Sequence, residues 1–507
     1  MTDSRFDVIV VGAGLGGLGT AAILAQREGR RVLVLEKQEG TGGRAHHFKG
    51  DQIASAEDYL GPLRASRGKL AYSEPDLQSI IDGKLLHGYS FELGMHDIVN
   101  GTQSRMAHIL EFLGVPVEIV PLRSSGFWQD GALHQLRRGR IPWMSGEDYA
   151  EMRRLLGEMV RMPLEQVREH YRTSLLDYLR PRTSNPVLWE FFDILGSFTV
   201  GMNSARELSA GEFILTTRMP MGAGLHFADG TLGQMGGESF MQIAFNLAQV
   251  VTDGGGEVRT GHSVETVLVA GGKAAGVRLR TESGDPEDVL ADVVILNVPA
   301  KSAVQHLIPQ EHLPRPFIEH VQGLRSGGAF APIYGLRASV IDIPGMLMAK
   351  VPVDDPDLPD GIVLGYEAHS LFVEGKAPHG KEIIECWVGL SDDDLGRLDR
   401  AGNLPAIAST VTAFLRNSHP GFAEALEWAL FPAINGVTSI SPTPAQAWDA
   451  MLDPQCPGID GLFFVGDSVK NYGGFMDGVA YTALLCTDAV TGKKYLEEVL
   501  PPYQREI

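Results

Sequence analysis

Residues 6–45 constrain the fold more than any other stretch of this 507-residue chain: FDVIVVGAGLGGLGTAAILAQREGRRVLVLEKQEGTGGRA. Phe6 to Val11 is a continuous apolar run rich in Val and Ile, the pattern of a strand buried on both faces. Gly12, Gly14 and Gly17 then spell G-x-G-x-x-G around Leu15 and Gly16. Leu18 to Arg27 is rich in Ala and Leu and helical in character, and Arg31 to Leu35 is a second buried strand ending at Glu36. A strand, a glycine loop, a helix and a second strand closed by an acid form the start of a dinucleotide site. Gly12 permits the tight turn, Gly14 lets the backbone approach a pyrophosphate, and Gly17 lets helix and strand pack closely. The helix N-terminus offers unpaired N–H groups and the positive end of its dipole to the phosphates. Glu36 is placed to accept from both ribose hydroxyls and to repel a 2′-phosphate, with Lys37 beside it as a further cofactor contact.

A second stretch near the C-terminus has the same logic. In FFVGDSVKNYGGFMDGVAYTALL, an apolar run ends in Gly466-Asp467, a glycine pair follows, and a helix is expected from about Met476. Between these ends, the segment from Gly236 to Asn297 reads as a helix, a glycine turn, a short strand, a strand around Val264, a hairpin at Gly271-Gly272 and a buried strand at Val293 to Leu296.

The glycine loop alone does not separate FAD from NAD. Glu36-Lys37 followed by Gly42-Gly43-Arg44 resembles the flavoprotein superfamily of amine oxidases and phytoene dehydrogenases, whose second strand runs into E-[KR]-x-x-x-x-G-G-[RK]. The resemblance implies FAD, with Gly43 beside the flavin and Arg44 near the phosphates. It implies that Asp467, after Gly466, binds the ribityl and pyrophosphate region. It also implies that the backbone around Gly474, Met476 and Asp477 faces the pyrimidine side of the ring, where a helix N-terminus favours negative charge. There the glycines stay bare because side chains would collide with the ring. Val264 would contact adenine through its backbone. GGFMDGVA is similar to the G-[YF]-M-E-G-A segment of monoamine oxidases, which makes Phe475 a candidate substrate-cage residue, with core packing as the plain alternative. No cysteine falls where monoamine oxidases attach flavin, so non-covalent FAD is expected.

These motifs lie at both termini and near residue 260, so the expected fold is α/β: a discontinuous, glutathione-reductase-like Rossmann-type FAD domain (1–105, 236–300 and 455–495) with an interleaved α+β substrate domain (106–235 and 301–454). Helices are expected within 151–171, 188–202, 404–417 and 419–430, the last two broken at Pro420. Relatives pass from G-G-R to F-D-x-G within a short hairpin; here the counterpart is Phe91-Glu92-Leu93-Gly94, which leaves an insertion of about residues 51–86 whose default reading is a surface loop. His96 follows that strand and is the candidate proton carrier, with a structural histidine as the alternative.

Composition narrows the partners. Lys plus Arg is 43 against 63 Asp plus Glu, a formal charge of −20, which argues against nucleic acid or an anionic membrane face. Three cysteines without metal-ligand spacing suit a reducing compartment, and no metal motif is found. No basic n-region precedes the first apolar run, so a cytoplasmic location, at most peripheral to a membrane, is expected. No second G-x-G-x-x-G follows a strand, so NADH and NADPH are expected to be poor direct reductants. The resemblance implies an FAD-dependent oxidoreductase that desaturates, saturates or isomerises C–C bonds of a lipophilic, isoprenoid- or carotenoid-like alkene. The electron acceptor is left open among oxygen, a quinone or another acceptor, as is assembly into a homo-oligomer. The alternatives are an amine oxidase, a redox-neutral flavin isomerase or hydratase, and a binding protein like the Rab escort and GDP-dissociation-inhibitor proteins.

Overall fold

The computed structural model describes residues 5–93, 97–136, 140–222, 224, 231–236, 239–281, 284–356, 358, 360–471 and 473–505. The most apolar segments form a parallel sheet. Arg5–Val11 pairs with Val32–Leu35 on one side and with Pro286–Leu296 on the other, so that Val8 stands between Val32 and Val293. Glu257–Arg259 extends the sheet beyond Val32–Leu35, and Leu462–Phe464 pairs with the end of Pro286–Leu296, both in parallel. Because successive side chains point to opposite faces, this central strand feeds two cores. Val8 and Val10 pack under the helices Leu15–Glu28, Met241–Asp253 and Phe475–Thr491. Ile9 and Val11 pack under the antiparallel strands Ser263–Ala270 and Lys273–Arg280. Gly271 and Gly272 close that hairpin with φ of 58° and 77°, the left-handed pair that a two-residue turn of this hand requires. The strands of this sheet come from residues 5–35, 257–296 and 462–464, so the dinucleotide body is assembled from distant pieces of chain.

A second, largely antiparallel sheet carries Gly327–Phe330, Leu426–Thr438, Ile333–Leu336, Glu382–Ser391, Ile362–Ala368, Met346–Val351, Ser125–Gln129 and Ala132–Gln135 in that order. The helices Gly146–Arg161, Pro186–Val200 and Ala210–Gly222 accompany it. The architecture is therefore the Rossmann-type α/β fold with an interleaved α+β body.

Three local expectations are corrected. The insertion at 51–86 is not a surface loop. Its strand Gly68–Glu74 pairs antiparallel with Leu426–Thr438, and Tyr59 and Leu63 of its helix Ala56–Ala65 are buried against Phe91 and Trp428. Only Phe422–Ala425 is helical within 419–430; residues 426–430 open the long strand Leu426–Thr438, where neighbours on both sides override local propensity. The 151–171 helix is two helices, Gly146–Arg161 and Leu164–Glu169, divided at Pro163.

Candidate functional site

A cavity of about 1410 Å³ runs between the two sheets and has two chemically different ends. At the polar end, Gly12, Gly14, Leu15 and Gly16 form one wall, Glu36 and Lys37 the next, and Val264 lies further along. Gly12 has φ +99° and a Cβ there would stand 2.6 Å from the Asn297 carbonyl oxygen; a Cβ on Gly17 would stand 2.5 Å from the Gly12 oxygen. The close helix–strand packing expected of Gly17 is thus met, and Gly17 itself lies off the cavity wall.

Asn297 was not singled out from the sequence and proves central. It ends the strand Pro286–Leu296, its Nδ2 donates to the Gly12 oxygen at 3.1 Å, and Cβ atoms built on Gly14, Gly16 and Gly466 would all meet its side chain within 3.1 Å. The only signal in the sequence is a polar residue closing a buried apolar run.

Glu36, 7% exposed, already holds two backbone donors: Ala13 N to Oε2 at 2.8 Å and Gln38 N to Oε1 at 2.9 Å. Besides facing the cavity, it clamps the glycine loop to the end of the second strand.

Asp467 and Arg44 come together across 423 residues of chain. Arg44 Nη1 donates to Asp467 Oδ2 at 2.8 Å and to the Gly436 and Val437 carbonyls at 2.9 and 2.6 Å. Ser439 donates from N to Oδ2 at 2.8 Å and from Oγ to Oδ1 at 2.6 Å. Burial opposes the Asp467 charge, but Arg44 and Ser439 outweigh it and hold the carboxyl below its usual range. This pair fastens the end of the dinucleotide sheet to the long strand of the second sheet, in addition to lining the cavity.

Both helices that start at the cavity do so without a side-chain cap: Gly14 precedes Leu15–Glu28, and Gly474 precedes Phe475–Thr491. Their first N–H groups are left for a ligand. The bare glycines have separate causes. A Cβ on Gly473 would strike Met219 Cε at 2.2 Å, whereas Gly474 has open space around it. Phe475 itself has φ +61°, a strained value for a bulky residue. Its ring meets Trp387 edge-on at 6.2 Å and 85°, and both line the cavity with Met476. Trp387 was not visible as a site residue in the sequence. Behind this helix start, buried Arg105 donates from its backbone N to Asp477 Oδ1 at 2.7 Å and from Nη1 to Oδ2 at 3.3 Å, with Asn100 Nδ2 also at 3.3 Å.

The far end of the cavity is apolar, with Phe127, Leu156, Phe191, Leu195, Phe198 and Met348 among its walls. His96, the expected proton carrier, lies outside the described residues, as do Gly94 and Met95. Its neighbour Asp97 lies on the cavity wall. Behind Asp97 stand Glu367 and His369, both fully buried, with His369 Nε2 3.0 Å from Glu367 Oε2, and Glu385 Oε1 3.4 Å from Nδ1 on the other side of the ring. Burial works against charge on His369, but the two glutamates hold its pKa up at about 10. Burial, and then repulsion from Glu367, push Asp97 well above the carboxylate range.

The fold and these walls set a glycine-lined polar cradle beside an apolar chamber. The chain belongs to the flavin-containing amine oxidoreductase family, which matches residues 15–491. All-trans-retinol 13,14-reductase of Homo sapiens is 26% identical over 339 residues, covering 60% of this chain and 49% of that protein. Prolycopene isomerase of Daucus carota is 22% identical over 534 residues, covering 98% and 82%. The chain spans about half the length of the retinol-reductase relatives it matches. Among solved structures, an oxidoreductase from Methanosarcina mazei superposes with a TM-score of 0.65 at 19% identity, over 96% of this chain and all of that one, a likeness of fold. Among the described residues, no helix is long and apolar enough to cross a membrane.

Proposed function

We propose that this chain is an FAD-dependent oxidoreductase that desaturates, saturates or isomerises C–C bonds of a lipophilic, alkene-containing substrate of the isoprenoid or carotenoid kind. The supporting observation is one continuous cavity: a glycine-lined cradle with two helix starts at one end continues into an apolar chamber at the other. The residues present fit the cofactor. Two uncapped helix starts, the glycine loop and a carboxylate at the end of the second strand are the donor and acceptor set of a dinucleotide. When bound, FAD supplies a two-electron acceptor or donor next to the apolar chamber. Glu36 would accept from the adenosine ribose, the backbone after Gly14 would hold the pyrophosphate, and the Phe475–Thr491 helix start would favour negative charge on the ring. Phe475 and Trp387 border the chamber, and its apolar lining excludes water from a carbon centre. The names of the relatives, a reductase and an isomerase, agree with chemistry at double bonds.

A second reading, amine oxidation, draws on the perpendicular Phe475–Trp387 pair, which could frame an amine. The test is the absorption spectrum of purified protein and the flavin released by heat, followed by anaerobic titration with all-trans-retinol, a C40 polyene and a primary amine. Free FAD and bleaching by, or reduced-flavin turnover on, a polyene support the first reading. Bleaching by the amine alone supports the second. A colourless protein that takes up no FAD overturns both and favours a binding protein.

A further inference from the structure

The cluster behind Asp97 is not used by any of the chemistry above. Glu367, next to last in the strand Ile362–Ala368, stands directly opposite Glu385 of Glu382–Ser391, a like-charge cross-strand pair that by itself disfavours the sheet. Glu367 and Glu385 are both wholly buried. Among the described residues, Glu367 Oε1 and Glu385 Oε2 lack a hydrogen-bond partner, and Glu385 Oε1 meets His369 Nδ1 at a long 3.4 Å. Among the described residues, no lysine or arginine is paired with these carboxylates, and the groups that meet them include Asp97, His369 and Gln234. Three carboxylates thus face a single imidazole, one positive charge at most; buried carboxylates without matching charge or a full set of donors are costly, and proteins that keep them pair them or place a metal between them.

The geometry points to a divalent-cation site, of a kind suited to Zn²⁺ or Mn²⁺, formed by Asp97, Glu367 and His369, with Glu385 orienting the imidazole from behind. One ligand atom from each of Asp97, Glu367 and His369 lies within 4.8 Å of the other two. An ion centred among them needs only small side-chain movements to reach bond lengths of about 2.0–2.2 Å. His369 would ligate through Nε2, the nitrogen that faces Glu367, the ion taking the place of the proton there and releasing it to solvent, while Nδ1 faces Glu385 at 3.4 Å. A carboxylate behind a ligating imidazole fixes its tautomer and orientation.

The centre of the set is marked by a polar atom already there. Gln234 Nε2 lies 2.5 Å from Asp97 Oδ1, 3.2 Å from His369 Nε2 and 3.4 Å from Glu367 Oε2. A single positively polarised nitrogen touches all three candidate ligands, which is the position a cation would take. An ion at that position displaces the amide, which can then turn its Oε1 toward the ion as a fourth, neutral ligand. One imidazole with carboxylate and amide oxygens matches the preferences of Zn²⁺ and Mn²⁺ better than the all-oxygen shell of Ca²⁺ or Mg²⁺. Asp97 lines the cavity, which provides the path by which an ion arrives.

The test uses the full-length chain, stripped with a chelator and dialysed, then titrated calorimetrically with ZnCl₂ and with MnCl₂, with metal content measured after gel filtration. One equivalent of saturable binding is expected for at least one ion. His369→Gln and Glu367→Gln should abolish it, and Glu385→Gln should weaken it about 10–100-fold. To guard against misfolding of the core variants, Asp97→Asn, at the cavity wall, is measured alongside, with circular dichroism on every variant; it too should weaken binding. No stoichiometric site for either ion, or a site that persists in folded Asp97→Asn and Glu385→Gln proteins at wild-type affinity, overturns the assignment.

Discussion

Replacing Glu36 with Gln separates the clamp seen in the structure from the ribose contact proposed for the same side chain. The Glu36 carboxylate accepts from Ala13 N at 2.8 Å and from Gln38 N at 2.9 Å, and the residue is 7% exposed. Gln offers one oxygen for these two donors and turns an NH₂ toward the other. A buried N–H left without an acceptor costs about 1–3 kcal/mol, and the surviving bond loses roughly 1 kcal/mol of charge assistance. The loop should therefore be weakened by about 2–4 kcal/mol before any cofactor is considered. With an unfolding entropy of roughly 2.1 cal/mol/K per residue over 507 residues, that corresponds to a Tm lower by about 2–4 °C if the chain unfolds as one unit. The assay is thermal unfolding of both the flavin-free and the FAD-loaded protein, together with the FAD dissociation constant. Tm should fall in both forms, and FAD should bind more weakly. If the flavin-free Tm is unchanged and only FAD affinity falls, Glu36 serves the ribose alone and the clamp argument is wrong.

Glu212, buried in the helix Ala210–Gly222, has its pKa raised from 4.5 to about 7 by burial, against support from Trp448. Its folded-state pKa exceeds the unfolded one, so the folded protein loses stability as pH rises from about 4.5 through 7; Glu212→Gln should be neutral near pH 4.5 and more stable by up to about 3 kcal/mol at pH 8, read from urea unfolding at the two pH values. An equal effect at both would show that the carboxyl is not held protonated. Gly201 has φ +78°, and a Cβ there would stand 2.9 Å from Phe475 Cζ. Gly201→Ala should cost about 1–2 kcal/mol from backbone strain and displace the Phe475 ring, lowering kcat/KM while FAD content stays full; unchanged turnover and stability would mean that the ring is not positioned from this side.

How much of this was readable from residue order alone differs from element to element. The strand, glycine loop, helix and acid at 6–36 were legible because each is a local device: a turn that only glycine allows, a short helix and an apolar run buried on both faces. The same holds for the Gly271-Gly272 hairpin, for the uncapped helix after Gly474 and for the discontinuity of the sheet. Residues 426–438 carry no comparable local signal, and their strand state depends on partners from 68–74, 327–330 and 333–336. The insertion's helix became core because Trp428 and Phe91 were brought to it. Asn297, Trp387 and Arg105 each look ordinary in their own neighbourhood and acquire a role only when distant segments converge. The Asp97, Glu367, His369 and Glu385 group shows the limit most clearly: its members are up to 288 residues apart, and only the pairing of two strands places two glutamates face to face around a histidine. Local conformational preference acts over a few residues and can be read in order, whereas charge, burial and cavity shape are set by neighbours in space, which the folded chain alone selects.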